Sequence, residues 1–208
     1  MDPAATLASL ETMVLEIKER AGQLASDLFA RFVEAAQKVG CQTFEAKDSE
    51  EAGRFIADFA RSKNARVVQT SSADLLEHLD LAAALQGSGV AVSGPDPEGL
   101  LSADIGISEA VAGIAETGSL LIHLDEIDSR LTTMLPPIHV ALLKYGDVVE
   151  SMEEGLLITR HCILSLQVQG RPSYISWVTG PSRTADIERV LTIGVHGPRE
   201  LCIIIVSS

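Results

Sequence analysis

The chain has 208 residues, a net charge of −13 and a hydrophobic fraction of 46%. This length suits one domain, or one domain with an appendage, and it is enough for a substantial core. The acidity and the lack of a Lys/Arg cluster argue against nucleic acid and anionic membranes as partners. No apolar run approaches the roughly 18 residues of a spanning helix, and the N-terminus lacks a signal-peptide pattern, so we expect a cytoplasmic protein.

The first forty residues have a helical pattern. Apolar side chains recur there in steps of three and four, which is the a/d pattern of a coiled coil; we call them the N-terminal seam: Leu7, Leu10, Val14, Ile17, Ala21, Leu24 and Leu28. The N-terminal seam would pair with another chain, as in a homo-oligomer, or pack on its own domain. The spacing leaves both alternatives open. We therefore divide the chain into a helix over 1–28 and an α/β domain over 29–208.

From residue 43 onward, short apolar runs alternate with helical patterns. The order begins with strands at 43–46, 66–69 and 90–92, separated by helices over 49–62 and 71–87. This β-α-β-α-β order favours a mostly parallel sheet covered by helices on both faces. Further expected elements, after a turn-rich connection over 93–103, are strands at 104–108, 118–123, 138–143, 148–149 and 201–206 and a helix over 151–164, which Gly155 should weaken.

The strongest functional signal lies between residues 174 and 198. The apolar run 174–178 predicts a buried strand, and residues 185–191 predict a short helix. The loop between them contains Thr179, Gly180 and Arg183. A loop that opens a helix directs free backbone N–H groups outward, and an arginine there can hold a carboxylate or phosphate with two hydrogen bonds. The pattern thus indicates an anion site.

The same loop also has a purely structural interpretation. Ser182 and Thr184 could cap the predicted helix, and Asp186 could complement its dipole. Spacing alone does not separate capping from ligand binding.

A second candidate is Glu116-Thr117-Gly118, between two predicted strands. Gly118 would permit a left-handed backbone or the close approach of a ligand. Glu116 could act as a general base or bind a hydroxyl. The alternative is an exposed carboxylate in a turn, where polar residues are common.

Two histidines have a suggestive context. His139 follows Pro137 in a predicted strand, and His196 precedes Gly197-Pro198. A histidine titrates near neutrality and can serve as acid, base or ligand, although a single one is more often a structural hydrogen-bonding group.

Three runs in this order resemble the lactate-utilization (LUD) domain family: 114–119, 179–188 and 196–198. The resemblance covers roughly residues 30–207. It implies a three-layer α/β fold with a mostly parallel sheet, similar to the sugar-phosphate isomerase and CoA-transferase group. It also implies a role beside iron–sulfur subunits that oxidise L-lactate to pyruvate.

With this resemblance, we predict one pocket built from the three runs. Its catalytic residues would be Glu116, Asp186 and His196. Its ligand, a small carboxylate or a phosphorylated or CoA-like anion, would be bound by Thr117, Gly118, Arg130, Thr179, Gly180, Ser182, Arg183, Thr184 and Gly197. Arg130 and His139 match positions of the family pattern.

The cysteines bear on redox chemistry. Cys41, Cys162 and Cys202 are far apart, whereas an iron–sulfur cluster needs about four thiolates. We expect the clusters on partner subunits, and the cofactor of this chain, if any, stays unknown. The acids at 125, 126 and 128 fix no coordination geometry, so no metal site is predicted. Dinucleotide, Walker and esterase-elbow motifs are absent from the sequence.

Three hypotheses therefore stand. The leading one is a cytoplasmic subunit of an L-lactate oxidation system that binds a small anion. The second is a stand-alone isomerase or acyl/CoA-transferase with Glu116 as base or nucleophile. The third is a non-catalytic assembly subunit that binds partners through residues 1–28.

Overall fold

The computed structural model describes residues 3–70, 79, 81–93, 101–124, 127–171, 174–185 and 191–207. Its helices are α1 (Pro3–Gln23), α2 (Ala25–Lys38), α3 (Ser49–Ser62), α4 (Leu81–Ala84), α5 (Ile127–Thr132) and α6 (Met152–Val168). Its strands are β1 (Gln42–Ala46), β2 (Val67–Thr70), β3 (Ala91–Ser93), β4 (Ile105–Ala110), β5 (Ala112–Ile114), β6 (Ser119–His123), β7 (Ile138–Lys144), β8 (Val148–Val149), β9 (Ile175–Val178), β10 (Arg183–Ala185), β11 (Leu191–Ile193) and β12 (Glu200–Val206). No helix among the described residues has the length and apolarity needed to cross a bilayer.

A six-stranded sheet forms the centre of the domain. Its strand order is β1-β12-β7-β4-β2-β3, and every neighbouring pair is parallel. Strand β12 lies between β1 and β7 and is buried from Leu201 to Val206. This near-continuous apolar run is typical of a parallel strand covered on both faces. The predicted α/β class with a mostly parallel sheet is confirmed.

Alternate residues of β12 enter two separate cores. Ile203 and Ile205 pack on one face with Phe32 of α2, and Ile204 packs on the other face with Ile56 of α3. The period of two along a strand therefore divides one apolar run between two layers of helices. This arrangement is the three-layer architecture expected from the sequence.

A smaller sheet lies on the α2 side of the molecule. Its order is β8-β5-β6-β9, with β5/β6 and β6/β9 antiparallel. Its side chains share one core with α1, α2 and α6. The strand predicted at 174–178 is present as β9, but it lies at the edge of this sheet and is half-buried rather than buried. It lies outside the parallel sheet, and β6 is its neighbour on one side.

The N-terminal seam faces its own domain. The helical pattern breaks at Leu24 into α1 and α2, and α1 packs against α6 and the 3₁₀ turn Tyr145–Asp147. Within α1 the buried side chains belong to the seam: Leu10, Val14, Ile17 and Ala21. An ion pair joins Lys18 to Asp147 at 2.9 Å. Of the two alternatives, the structure has the one in which the seam packs on its own domain.

Only the two ends of the predicted helix over 185–191, Ala185 and Leu191, are described, and both lie in strands. Arg183–Ala185 and Leu191–Ile193 pair antiparallel, with Thr184 opposite Thr192. β-Branched residues such as these favour a pleated backbone. Residues 186–190 lie outside the described residues, as do residues 71–78 of the predicted helix over 71–87 and residues 94–100 of the predicted connection over 93–103.

Helices α3 and α6 begin where the sequence predicts. The Asp48 carboxylate accepts the Glu51 N–H, and the Ser151 hydroxyl accepts the Glu154 N–H. Helix α6 continues to Val168, past the predicted end at 164, despite Gly155. A Cβ on Gly155 would lie 2.6 Å from the Trp177 ring and 2.7 Å from the Ile114 side chain. The glycine is therefore required by packing.

Two helical glycines provide a matched test of that packing. Gly22 in α1 has open space around its Cβ position, so Gly22→Ala should raise the free energy of unfolding by about 0.5–1 kcal/mol through helix propensity. Gly155→Ala should lower it by about 1–2 kcal/mol, because overpacking outweighs the same propensity gain. Urea unfolding of both variants measures the difference. Equal stabilisation by the two substitutions would contradict the packing described here.

Candidate functional site

Gly118 lies directly against the C-terminal turn of α2. Its φ is +67°, and a Cβ there would lie 2.5 Å from the Ala36 Cα. Both the left-handed backbone and the close approach therefore require glycine. The sequence predicted either a left-handed backbone or the close approach of a ligand at Gly118. The left-handed backbone is present, and the group that approaches closely is a helix.

Three hydroxyls link the first two sequence runs. Ser119 begins β6 and Thr179 follows β9, the antiparallel neighbour. The Ser119 Oγ lies 2.7 Å from the Thr179 Oγ1 and 2.7 Å from the Thr117 Oγ1. We call these three side chains the hydroxyl chain. Ser119 is buried and Thr179 is exposed, so one end of the hydroxyl chain can form hydrogen bonds at the surface.

Arg183 and Gly180 meet the same helix end. Helix α2 terminates in a Schellman motif, in which the Gly40 N–H bonds the Gln37 carbonyl and the Cys41 N–H bonds the Ala36 carbonyl. An Arg183 Nη2 donates to the Val39 carbonyl. The guanidinium thus complements the negative end of the α2 dipole.

Sequence reasoning placed an anion site at the N-terminus of a helix over 185–191, most of which lies outside the described residues. Arg183 itself begins strand β10 and contacts a helix C-terminus. Its side chain is nevertheless exposed. A guanidinium has five N–H donors, so one bond to a carbonyl leaves donors that can reach a ligand. Asp186, the third predicted catalytic residue, lies outside the described residues.

Glu116 stabilises the start of α6. Its Oε2 accepts the Met152 N–H at 2.9 Å, and its own N–H donates to the Glu150 carbonyl at 3.1 Å. A carboxylate at this position satisfies a free helix N–H and complements the positive end of the helix dipole. The structure gives Glu116 a capping role, and its side chain is exposed.

The second and third sequence runs meet at Ser182. Its N–H donates to the Pro198 carbonyl at 2.8 Å, and its carbonyl accepts the Gly194 N–H at 2.9 Å. A Cβ on Gly197 would lie 3.3 Å from the Ser182 Cβ. His196 is exposed beside this contact, and Thr184 follows in the hairpin. Ser182 of the second run is thus a neighbour of Gly197 and Pro198 in the third run.

Arg130 lies apart from these groups. Its guanidinium carbon is 4.6 Å from the centre of the Tyr174 ring. Tyr174 precedes β9, whereas Thr179 follows it, so the two lie at opposite ends of that strand. The structure does not bring Arg130 together with the other predicted ligand-binding residues.

Sequence reasoning identified only one member of a buried polar pair. The His139 Nε2 lies 2.8 Å from the Ser108 Oγ, across the neighbouring strands β7 and β4. Both side chains are buried in the sheet, and burial lowers the pKa of His139 to about 4. His139 was noted from its context after Pro137, but Ser108 belongs to no motif and only strand register reveals it.

All three cysteines are free thiols. Burial raises the pKa of Cys41 to about 11 and that of Cys202 to about 12, and it raises the pKa of Cys162 as well. The Gly180 N–H and the Arg183 charge oppose the shift at Cys41. Protonated thiols are poor metal ligands. No cluster of three or more His, Cys, Asp and Glu side chains suited to a metal occurs in the described ranges.

The capping role of Glu116 can be tested with two substitutions, one that keeps the shape of the side chain and one that removes it. Glu116→Gln keeps an oxygen that can accept the Met152 N–H, whereas Glu116→Ala leaves that N–H without it. We expect Glu116→Ala to lower the free energy of unfolding by about 1 kcal/mol and Glu116→Gln to lower it by less than half of that. Chemical denaturation measures both. An unchanged stability in Glu116→Ala would contradict the capping role.

Burial of His139 predicts a pH-dependent stability. The unfolded chain has a histidine pKa near 6.5, above the folded value of about 4, so the unfolded state binds the proton first. The free energy of unfolding should be highest above about pH 6.5 and fall toward pH 4, with a slope approaching about 1.4 kcal/mol per pH unit. His139→Gln should flatten this part of the profile. Parallel profiles for the two proteins would exclude His139 as the cause.

Comparison with known proteins identifies relatives of this chain. The LUD domain model matches residues 29–206. Lactate utilization protein C of Shouchella clausii is 36% identical over 106 residues, or 50% of this chain and 44% of that protein. The Bacillus subtilis protein of the same name is 33% identical over 105 residues, or 50% of this chain and 43% of that protein. The matched segments thus span less than half the length of these curated relatives.

A solved structure shares the fold. The crystal structure of a DUF162 family protein from Deinococcus radiodurans superposes with a TM-score of 0.60, at 21% sequence identity. The superposition covers 88% of this chain and 98% of that chain. Because the family model matches most of the sequence, this chain belongs to the LUD domain family.

Proposed function

We propose that this chain is a subunit of a lactate-utilization system that oxidises L-lactate to pyruvate. The LUD domain match over residues 29–206 carries this proposal, together with the relatives named lactate utilization protein C. Iron–sulfur subunits would be its redox partners.

The number and burial of the cysteines support the proposal that the iron–sulfur clusters belong to the partner subunits. The chain contains three cysteines, fewer than the four thiolates of a usual cluster, and burial keeps each thiol protonated near neutral pH. Electron transfer through iron–sulfur clusters would then take place on the partner subunits. This chain would contribute binding and positioning.

We assign ligand binding to the surface formed by Arg183 and the exposed end of the hydroxyl chain. Both Arg183 and Thr179 are exposed, and Gly180 between them holds the loop against α2. The guanidinium would bind a carboxylate through its remaining N–H groups. A hydroxyl of the chain would bond the α-hydroxyl of lactate or the keto oxygen of pyruvate. A small 2-hydroxy acid carries a carboxylate and a hydroxyl on neighbouring carbons, one for each of these protein groups.

The proposed site differs from the one predicted at the sequence level. Glu116 would serve the helix α6 start rather than proton transfer. Among the described residues, His196, exposed next to the Ser182–Gly197 contact, would be the candidate for moving a proton. Arg130 would take no part, because it stacks on Tyr174 at the other end of β9.

A non-catalytic assembly role is the second candidate. The observation that favours it is that residues of the three sequence runs take part in internal packing. Gly118 and Arg183 contact the end of α2, and Glu116 contacts the start of α6. The stand-alone transferase hypothesis is weaker, because the Glu116 carboxylate that would be its nucleophile already stabilises the start of α6 through one of its oxygens.

Calorimetric titration separates these candidates. We expect L-lactate or pyruvate to bind, and Arg183→Ala to weaken that binding roughly 10- to 100-fold through loss of charge-assisted hydrogen bonds. CoA and a sugar phosphate are titrated in parallel to detect transferase or isomerase chemistry. Arg54→Ala is the matched control, because Arg54 is also exposed and lies on α3, the helix on the other face of the sheet.

Because Arg183 also contacts α2, each variant must first show wild-type circular dichroism. Thr179→Val provides a second variant that leaves Arg183 in place. Binding that survives both substitutions would rule out this surface. An absence of binding by all four compounds in the wild type would favour the assembly role.

A further inference from the structure

Helix α6 has large apolar side chains that the chain itself leaves uncovered. Its sequence is MEEGLLITRHCILSLQV, and an exposed polar face contains Glu153, Arg160 and Gln167. Gly155, Ile158 and Leu166 are buried. A surface helix normally directs its large apolar side chains toward the core, so the uncovered ones of α6 need an explanation.

Two sides of α6 are covered within the chain. Gly155 and Ile158, three residues apart, turn toward the small sheet, where Gly155 meets Trp177 and Ile114. On the second side, Arg20 of α1 pairs with Glu154.

The third side is a stripe of apolar side chains that we call the α6 stripe. Met152, Leu156 and Ile163 are 40%, 56% and 39% exposed, and they are spaced by four and seven residues. Thr159 lies among them, with its hydroxyl donating to the Gly155 carbonyl at 2.9 Å. The stripe therefore presents three exposed large apolar side chains on one face of one helix.

The stripe has the heptad spacing that is typical of paired helices. Met152 and Thr159 occupy d positions, and Leu156 and Ile163 occupy a positions, whereas Leu166, at the next d position, is buried within the chain. The following e positions are Glu153, Arg160 and Gln167, all exposed. Within the part of the chain that the structure describes, Glu153 and Arg160 form no ion pair.

We propose that the α6 stripe binds the α6 stripe of a second copy of this chain, with the two helices antiparallel. A two-fold axis near Leu157 would bring Ile163 against Met152 of the partner subunit. The same register would bring Glu153 beside Arg160 of the partner subunit, and the two-fold would make that contact twice. The two e positions carry opposite charges and lie seven residues apart. In two copies of the helix these opposite charges therefore face each other only when the helices are antiparallel.

The contact is modest in size. A helix of 17 residues is about 25 Å long, so the area lies at the low end for a specific interface. The dimer should consequently dissociate on dilution. Sedimentation velocity of the full chain over a concentration series, from about 5 to 500 µM, covers the range in which a contact of this size equilibrates.

Substitutions test both the stripe and the orientation. We expect the wild type to dimerise with increasing concentration and Leu156→Glu to weaken dimerisation at least tenfold. Leu15→Glu is the matched control, because Leu15 is 65% exposed on α1, outside the stripe. Glu153→Arg and Arg160→Glu should each weaken the dimer by placing like charges opposite each other, and the double variant should restore it.

The double charge exchange distinguishes the proposal from simple loss of folding. A wild type that stays monomeric over the whole series would overturn it. So would a Leu156→Glu protein that dimerises like the wild type, or a Leu15→Glu protein that loses the dimer equally. Failure of the double variant to recover would overturn the antiparallel register.

Discussion

The close approach of α2 to Gly118 is the contact on which the rest of the site depends. No side chain fits between this position and the α2 backbone, and the left-handed φ of +67° turns the chain from β5 into β6. Gly180 approaches the same helix end, where a Cβ would lie 2.5 Å from the Val39 carbonyl oxygen. Two glycines from distant parts of the sequence thus fix one helix terminus. Thr179 and Arg183 are held at the surface as a consequence.

The sequence suggested these residues as one ligand-binding or catalytic group, but in the structure some of them have structural roles. Glu116 stabilises the start of α6, and Gly118 and Gly180 accommodate α2. Arg183 has both roles, because it contacts the Val39 carbonyl and remains exposed. The proposed ligand surface is therefore rigid at its base and open at its edge, which is the arrangement that favours binding without rearrangement.

Much of the fold could be predicted because its signals are local. Asp48 and Ser151 begin helices through their own hydrogen bonds, and β12 is recognisable from a single apolar run. The pairing of β10 with β11 could not be predicted, because it is defined by contacts between Thr184 and Thr192 rather than by composition. The packing reason for Gly155 was equally invisible, since it depends on Trp177, which lies 22 residues further along the chain. For the site, the sequence grouped Ser182 and Gly197 as ligand-binding residues but did not indicate the helix that lies beneath Arg183.

We propose that Arg183 and the exposed Thr179 hydroxyl form the ligand surface. An NMR titration of the ¹⁵N-labelled protein with L-lactate, which observes arginine Nε–H groups and backbone amides together, tests this proposal most directly. We expect saturable shifts at Arg183, Thr179 and Gly180. Shifts confined to Lys63 and Arg199, which line a separate cavity at the start of β7 and β12, would contradict it.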